Sequence, residues 1–311
     1  MNWKKFIDEQ VRVIRETVGN GLAINALSGG VDSSVCTVLG HRALGKRLKT
    51  VFIDNGLMRA DEPQTVVAVF RKMGIPVRLV DARREFLAAL RGISDPEQKR
   101  RAITDTFYRQ VFGRLVRETG AKFLIHGTIL TDIEETVAGI KRQHNILAQI
   151  GIDPREAYGY QVVEPLKTLR KDGVRAVAKA LSLPVEITRR MPFPGPALAA
   201  RIVGGVTPER LATVRAATAI VEKELKRTGA FQYFAVVLSD RATGIRNNRR
   251  EFGQIIVIRC VESVDARVAT ATRLPWPKLE RICRRIVNEI PGVSRCLYDL
   301  TPKPPATIEY V

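Results

Sequence analysis

Apolar residues recur at helical spacing over residues 3–18, where Phe6, Val11, Ile14 and Val18 share a face. A mainly apolar run, Gly21 to Leu27, interrupted only by Asn25, follows and stops at Ser28-Gly29-Gly30. The pattern predicts a buried strand there and a helix over Val31 to Ala43. The alternation continues with a strand at Lys49–Ile53, ending in Asp54-Asn55-Gly56, and a helix from Glu62 to Met73. Next come a strand at Pro76–Val80, charged helix over 96–119, and a strand at Phe123–Ile125 that ends in His126-Gly127-Thr128. Strands alternating with helices predict an α/β chain with a doubly wound parallel sheet. Ligands of such sheets lie beyond the carboxyl ends of the strands.

Residues 136–163 lack a clear period and predict a loop, and Lys171 to Leu181 predicts a helix that completes a first domain. Met191-Pro192-Phe193-Pro194-Gly195-Pro196 is a stiff linker. It divides the chain into domains at 1–188 and 189–311. Beyond it the expected order is a helix at Thr207–Thr228, strands at Gln232–Leu238 and Gln254–Cys260, a helix at Trp276–Ile290 and a strand at Arg295–Asp299. That is a small α+β module. Thr207 is the expected N-cap, with Pro208 at the first helical position.

Charge narrows the partners. Lys plus Arg number 51 against 32 Asp plus Glu, a net +19, which favours anionic ligands or an acidic protein. Cys36, Cys260, Cys283 and Cys296 are scattered, with neither zinc spacing nor a disulfide framework. A reducing cytoplasm is expected. The first ten residues are polar and no apolar run approaches membrane-spanning length, so no membrane association is expected.

The strongest chemical signal is Ser28-Gly29-Gly30-Val31-Asp32-Ser33-Ser34, placed between a buried strand and a helix. Glycines let backbone approach phosphate oxygens, and the amides and dipole of a new helix favour an anion. The serines add hydroxyl donors. A carboxylate beside phosphate makes sense with Mg²⁺ between them, which assigns the metal to Asp32. The Gly-Lys-Ser/Thr ending of a Walker A loop is missing.

This heptapeptide resembles the pyrophosphate-binding loop of the N-type ATP pyrophosphatases. Further segments narrow the resemblance to the GMP synthetase family: Val51 to Arg59; Gly127-Thr128 with Asp132-Ile133-Glu134-Glu135-Thr136; Arg190 with its proline-rich linker; Tyr298-Asp299; and Lys303 to Tyr310. The resemblance covers residues 1–311. It implies an adenine nucleotide alpha-hydrolase-like first domain and a second domain for dimerisation and acceptor binding. It implies ATP and Mg²⁺ at Ser28 to Ser34, Ile53, Asp54, Gly127 and Thr128. Asp32, Ser33, Lys141 and His144 would serve the chemistry, and Asp32 and Glu135 the metal. The acceptor, xanthosine monophosphate, would meet Arg190, Gly195, Arg250, Lys303, Thr307, Ile308 and Glu309. Arg190 and Lys303 would take its 5′-phosphate and Glu309 its ring or ribose donors. The consecutive prolines 304 and 305 suit a fixed, extended segment there.

A glutaminase needs a thiolate with His and Glu partners. The histidines are His41, His126 and His144, and no cysteine stands on a glycine-flanked elbow. Ammonia is therefore expected from solution or a separate glutaminase subunit, with the chain itself a homodimer. A tRNA-modifying pyrophosphatase is the alternative, its charge tracking the RNA backbone. The absence of an evident RNA-binding appendage argues against nucleic acid.

The chain departs from the family pattern in places. Where the family has a mobile loop, this chain reads Lys141-Arg142-Gln143-His144-Asn145-Ile146, keeping Lys141, His144 and Asn145. Ala197 stands where the linker carries glycine, Asn247-Asn248 where a Gly-Asp pair is usual, and Ala266-Arg267-Val268 where X-Met-Thr is usual. Divergence or a changed acceptor, another nucleotide or a tRNA base for amination or thiolation, would each explain this. Arg246 and Arg267 are expected to face solvent or phosphate, because an unpaired guanidinium in a closed pocket is costly.

Overall fold

A computed structural model of the chain describes residues 2–137, 159–188 and 190–311, with backbone alone for 135–137. Two compact units emerge: Met1–Asp54, Glu62–Ala82 and Thr104–Arg190 in the first; Asn55–Asp61, Arg83–Ile103 and Met191–Val311 in the second.

Up to Arg190 the elements are α1 (Trp3–Val18), β1 (Ala23–Ala26), α2 (Val31–Leu44), β2 (Leu48–Asp54), α3 (Glu62–Lys72), β3 (Val77–Asp81), α4 (Arg83–Ala89) and α5 (Pro96–Asp105). A π-helical stretch (Thr106–Phe112) leads into α6 (Gly113–Thr119), β4 (Phe123–Ile125), α7 (Leu130–Val137), β5 (Gln161–Val163), α8 (Lys171–Ala180) and α9 (Val185–Thr188). The sheet of the first unit is parallel, in the order β3-β2-β1-β4-β5. Strand order reverses between β1 and β4, so the turns after those two strands flank the crevice where doubly wound sheets bind ligands.

Local sequence explains these elements. Asn2 caps α1 by accepting the Lys5 amide at 3.1 Å, satisfying one of the orphan donors of a helix start. The buried stripe of α1 is Phe6, Ile7, Ile14 and Val18, with Val11 half-buried. α2 packs against β1, α1 and α8 and is buried on most sides, which explains its lack of an amphipathic pattern. The helical region 96–119 is α5, the π-helical stretch and α6 rather than one regular helix. The expected loop over 136–163 contains β5, which completes the sheet edge beside β4. Three residues are too few to display a strand's period of two.

The second unit contains α10 (Pro208–Leu225), β6 (Gln232–Arg246), β7 (Arg249–Glu262), β8 (Thr270–Ala271), α11 (Trp276–Glu289) and β9 (Val293–Tyr298). Thr207 caps α10 with Pro208 at its start, as expected. β7 pairs antiparallel with β6 and β8 and parallel with β9. β6 and β7 run well past the expected strands, into an exposed arm closed by Asn247 (φ 50°) and Asn248 (φ 60°). Two consecutive left-handed residues fit a two-residue hairpin loop, and asparagine tolerates that conformation. Phe234, Val236, Val257, Val261, Ala269 and Ile308 form the core under this sheet.

Candidate active site

The turn after β1 is built largely from its own polar groups. Gly29 takes φ 76°, and Gly30 is the N-cap of α2. The Ser28 and Ser33 hydroxyls lie 2.8 Å apart; Ser33 Oγ accepts the Ser28 amide at 3.2 Å and donates to the Gly30 carbonyl at 3.1 Å. Val31 is buried against the sheet, and so is Ser34, whose hydroxyl has no partner among the described residues. The leading amides of α2 have no intrahelical acceptor, which leaves a cationic concavity at the sheet's switch point.

Two basic side chains flank the turn. Lys171, at the start of α8, places Nζ 2.6 Å from Asp32 Oδ2. Asp32 Oδ1 is buried and has no partner among the described residues. Arg190 donates from Nη1 to the Gly29 carbonyl at 2.9 Å and is ion-paired to buried Glu62. The φ of Gly29 favours glycine, and a Cβ there would also crowd the Arg190 guanidinium and the Val66 side chain. Lys171 and Glu62 escape sequence reasoning, because nothing in their local pattern separates them from other surface or core residues, whereas His126 stands in a strand-end turn the sequence marks but receives no role there.

The turn after β4 closes the other side. A Cβ on Gly127 would meet the backbone of Asp32 and Ser33 at 3.3 Å, so the two turns touch main chain to main chain. His126 Nδ1 lies 2.8 Å from Thr128 Oγ1, and Thr128 is itself buried. Burial holds the His126 imidazole below its usual pKa, against a smaller opposing pull from Glu164. Cys36 is buried in α2 and donates to the His126 carbonyl at 3.4 Å. Burial, and then the Asp32 and Glu164 charges, push its thiol pKa well up, so Cys36 is no nucleophile. A cavity of about 130 Å³ lies between the turns, lined by Ser28, Asp32, Ser33, His126 and Gly127 and by the aromatic residues of the π-helical stretch.

The remaining expected residues of the first unit are placed as follows. Ile53 is buried and Asp54 half-buried at the end of β2. Asp132 accepts the Ile129 amide at 3.0 Å and so caps α7, and Glu134 pairs with Arg170 at 2.5 Å. The side chain of Glu135, and Lys141, His144 and Asn145 entirely, lie outside the described residues.

In the second unit, Lys303, Thr307, Ile308 and Glu309 belong to one anchored segment. Lys303 Nζ donates to the Ala266 carbonyl at 2.8 Å. Ile308 is in the core. Arg259, fully buried, reaches Asp299 at 3.2 Å, the Thr301 carbonyl at 2.6 Å and the Thr307 carbonyl at 3.2 Å. Tyr310 donates to Asp299 at 2.7 Å. Burial would raise the Asp299 carboxyl, but hydrogen bonds from Thr301 and Tyr310, and then the Arg259 charge, hold it below its ordinary value. Gly195 and Arg250 are exposed, with no hydrogen bond to this segment among the described residues.

Three of the departures from the family pattern, Ala197 (φ 54°), Asn247 and Asn248, take left-handed conformations, and so does Ala266 (φ 65°) beside Arg267. These positions govern turns. Arg267 is exposed, as expected. Arg246 instead donates to the Val287 and Val293 carbonyls at 3.0 and 3.1 Å and pairs with Glu251, a structural role.

Comparison with known proteins bears on both units. The family model described as the GMP synthase C terminal domain matches residues 219–310, and the NAD synthase model matches residues 2–110. One of the subunits of the glutamine-hydrolysing GMP synthase of Archaeoglobus fulgidus is 50% identical over 310 residues, covering 100% of both chains. The protein of the same name in Pyrococcus furiosus is 49% identical over 99% of this chain and 97% of its own. That of Methanocaldococcus jannaschii is 47% identical, over 99% and 98%.

Proposed function

Because the chain belongs to the family of these GMP synthase subunits, we propose that it aminates xanthosine monophosphate to GMP with ATP, releasing AMP and pyrophosphate. The observation that carries this reading is the Ser28–Ser34 turn at the switch point of the sheet, with Lys171 beside Asp32. The β and γ phosphates of ATP would rest on that turn, accepted by the leading amides of α2 and the serine hydroxyls. Lys171 supplies a cation at the same place. The C2 oxygen of the acceptor attacks the α phosphorus, pyrophosphate leaves, and ammonia then displaces AMP from C2 and loses a proton. The chain's part is positioning and charge neutralisation, with no covalent nucleophile.

Mg²⁺ fits at Asp32, whose buried Oδ1 has no partner among the described residues, since Mg²⁺ is often held by one carboxylate plus substrate phosphates. When bound, it neutralises phosphate charge. Glu135 is the second ligand in this reading, and Lys141 and His144 act from the neighbouring segment. Lys303, Thr307, Ile308 and Glu309 would hold the acceptor, supported by their common anchoring in residues 299–310. Arg190 retains its assignment to the acceptor phosphate, although its hydrogen bonds here are to the phosphate turn. Gly195 and Arg250 complete the acceptor set.

The boundary between the two functions is proposed at residues 188–189. Ammonia comes from a separate glutaminase subunit, consistent with the names of the relatives, and the chain works as a homodimer in the cytoplasm. The test is incubation with ATP, Mg²⁺, ammonium and xanthosine monophosphate. GMP, AMP and pyrophosphate in equal amounts are expected. Pyrophosphate release that requires tRNA or another nucleotide, with no GMP formed, would replace the acceptor in this proposal.

A further inference from the structure

The second unit contains a buried cation that the proposed reaction does not use. Arg201 ends a short 3-10 helix (Ala197–Arg201) and is 1% exposed. Its guanidinium lies over the rings of Phe193 and Phe234, at 5.0 and 4.2 Å from their centroids. It grips Glu309 twice, Nε to Oε2 at 3.2 Å and Nη2 to Oε1 at 3.1 Å. Lys99, also buried, fixes the next residue by donating to the Ile202 carbonyl at 2.7 Å.

A purely stabilising role does not account for this arrangement. A buried ion pair is about as stable as an apolar pair of the same shape, because desolvation offsets the attraction. The pair does have a distinct effect, which is to aim a carboxylate. A carboxylate has about four acceptor directions. Three are filled, two by Arg201 and one by Gln232 Nε2 at 2.5 Å. The Glu309 side chain keeps 18% of its surface exposed. One acceptor direction therefore remains, on a carboxylate fixed by two partners at the surface of the acceptor-binding segment.

We propose that Arg201 is a positioning residue: it fixes Glu309 as the acceptor for an N–H or O–H donor of the purine nucleoside monophosphate. This rests on the reading that residues 303–309 bind the acceptor nucleotide. The two aromatic faces take up the guanidinium that would otherwise be desolvated without return. Lysine in its place would keep the charge but lose the two-pronged geometry.

The experiment is a double-mutant cycle on xanthosine monophosphate binding, with R201K, R201Q, E309Q and the combined R201K/E309Q. Thermal unfolding and the KM for ATP serve as controls on the fold. E309Q is expected to weaken the acceptor at least tenfold, as is each Arg201 variant that folds, with the ATP KM within twofold. R201K in the E309Q background should then have no further effect, because Arg201 acts only through Glu309. Additive losses, an unchanged acceptor KM in R201K, or an E309Q enzyme that binds the acceptor normally would each overturn the proposal. A wild-type chain that does not bind xanthosine monophosphate would instead overturn the acceptor reading itself, and this inference with it.

Discussion

Asp32 does two things at once: it accepts from Lys171 on one oxygen and keeps the other buried, with no partner among the described residues. Asp32→Ala is expected to lower pyrophosphate release by about 100-fold or more, the scale of losing a charge-stabilising group at a reacting centre. Its melting temperature should stay close to wild type, since a turn carboxylate contributes little packing. Ala197 makes the opposite kind of prediction. Its left-handed φ of 54° disfavours any residue with a Cβ. Ala197→Gly should therefore stabilise the protein by about 1 kcal/mol, read as a rise of roughly 2 °C in Tm. The sequence reveals Ser28 to Ser34 because glycine, serine and aspartate in that order have few other uses between a strand and a helix. It does not reveal Arg201, Arg259 or Lys171. With 51 basic residues in the chain, a buried arginine and a solvated one look identical until the fold surrounds them.

Among the elements, strands with continuous apolar runs, such as β2 and the first half of β6, were legible because both faces are covered. The outer half of the β6–β7 hairpin was not, because its exposed arm alternates charged and small residues without a buried face. The hairpin signal there was the Asn247-Asn248 pair itself. The turn joining β4 to α7 carries a pH prediction. Burial lowers the pKa of His126 in the folded state, while the unfolded chain titrates near 6.5. Below about 6.5 the unfolded state therefore binds the extra proton first, and stability falls as the pH drops further. Above that window the His126 contribution is level. Thermal unfolding at pH 5.5 and pH 7.5 should show this loss, and His126→Gln should reduce it.

At the scale of the whole molecule, chemistry and assembly can be tested separately. No glutaminase activity is expected of the chain: Cys36 and Cys260 are buried, and burial raises the thiol pKa of both Cys260 and Cys296. Purified chain should form GMP with ammonium and none with glutamine alone; glutamine hydrolysis by the isolated chain would contradict this. The exposed apolar side chains of the second unit, among them Ile245, Phe252 and Trp276, suit a contact between copies of the chain. Light scattering at micromolar concentration is expected to give the mass of a dimer. The parallel sheet and the change of pattern after the proline-rich linker were legible because both follow from runs of many residues. The assignment of Asn55–Asp61 and Arg83–Ile103 to the second unit was not, since no local signal marks a short segment as belonging to a core completed far downstream.

That interleaving has a consequence for how the protein is made. A ribosome delivers Phe86, Leu90 and Ile103, all buried in the finished molecule, well before Met191–Val311 emerges to complete their unit. During that interval the nascent chain carries apolar surface with nothing of its own yet available to cover it, the situation in which chains aggregate or engage chaperones. Expression of residues 1–190 alone should therefore yield an insoluble or chaperone-bound product, and the two halves should be recovered in soluble form only when translated as one polypeptide.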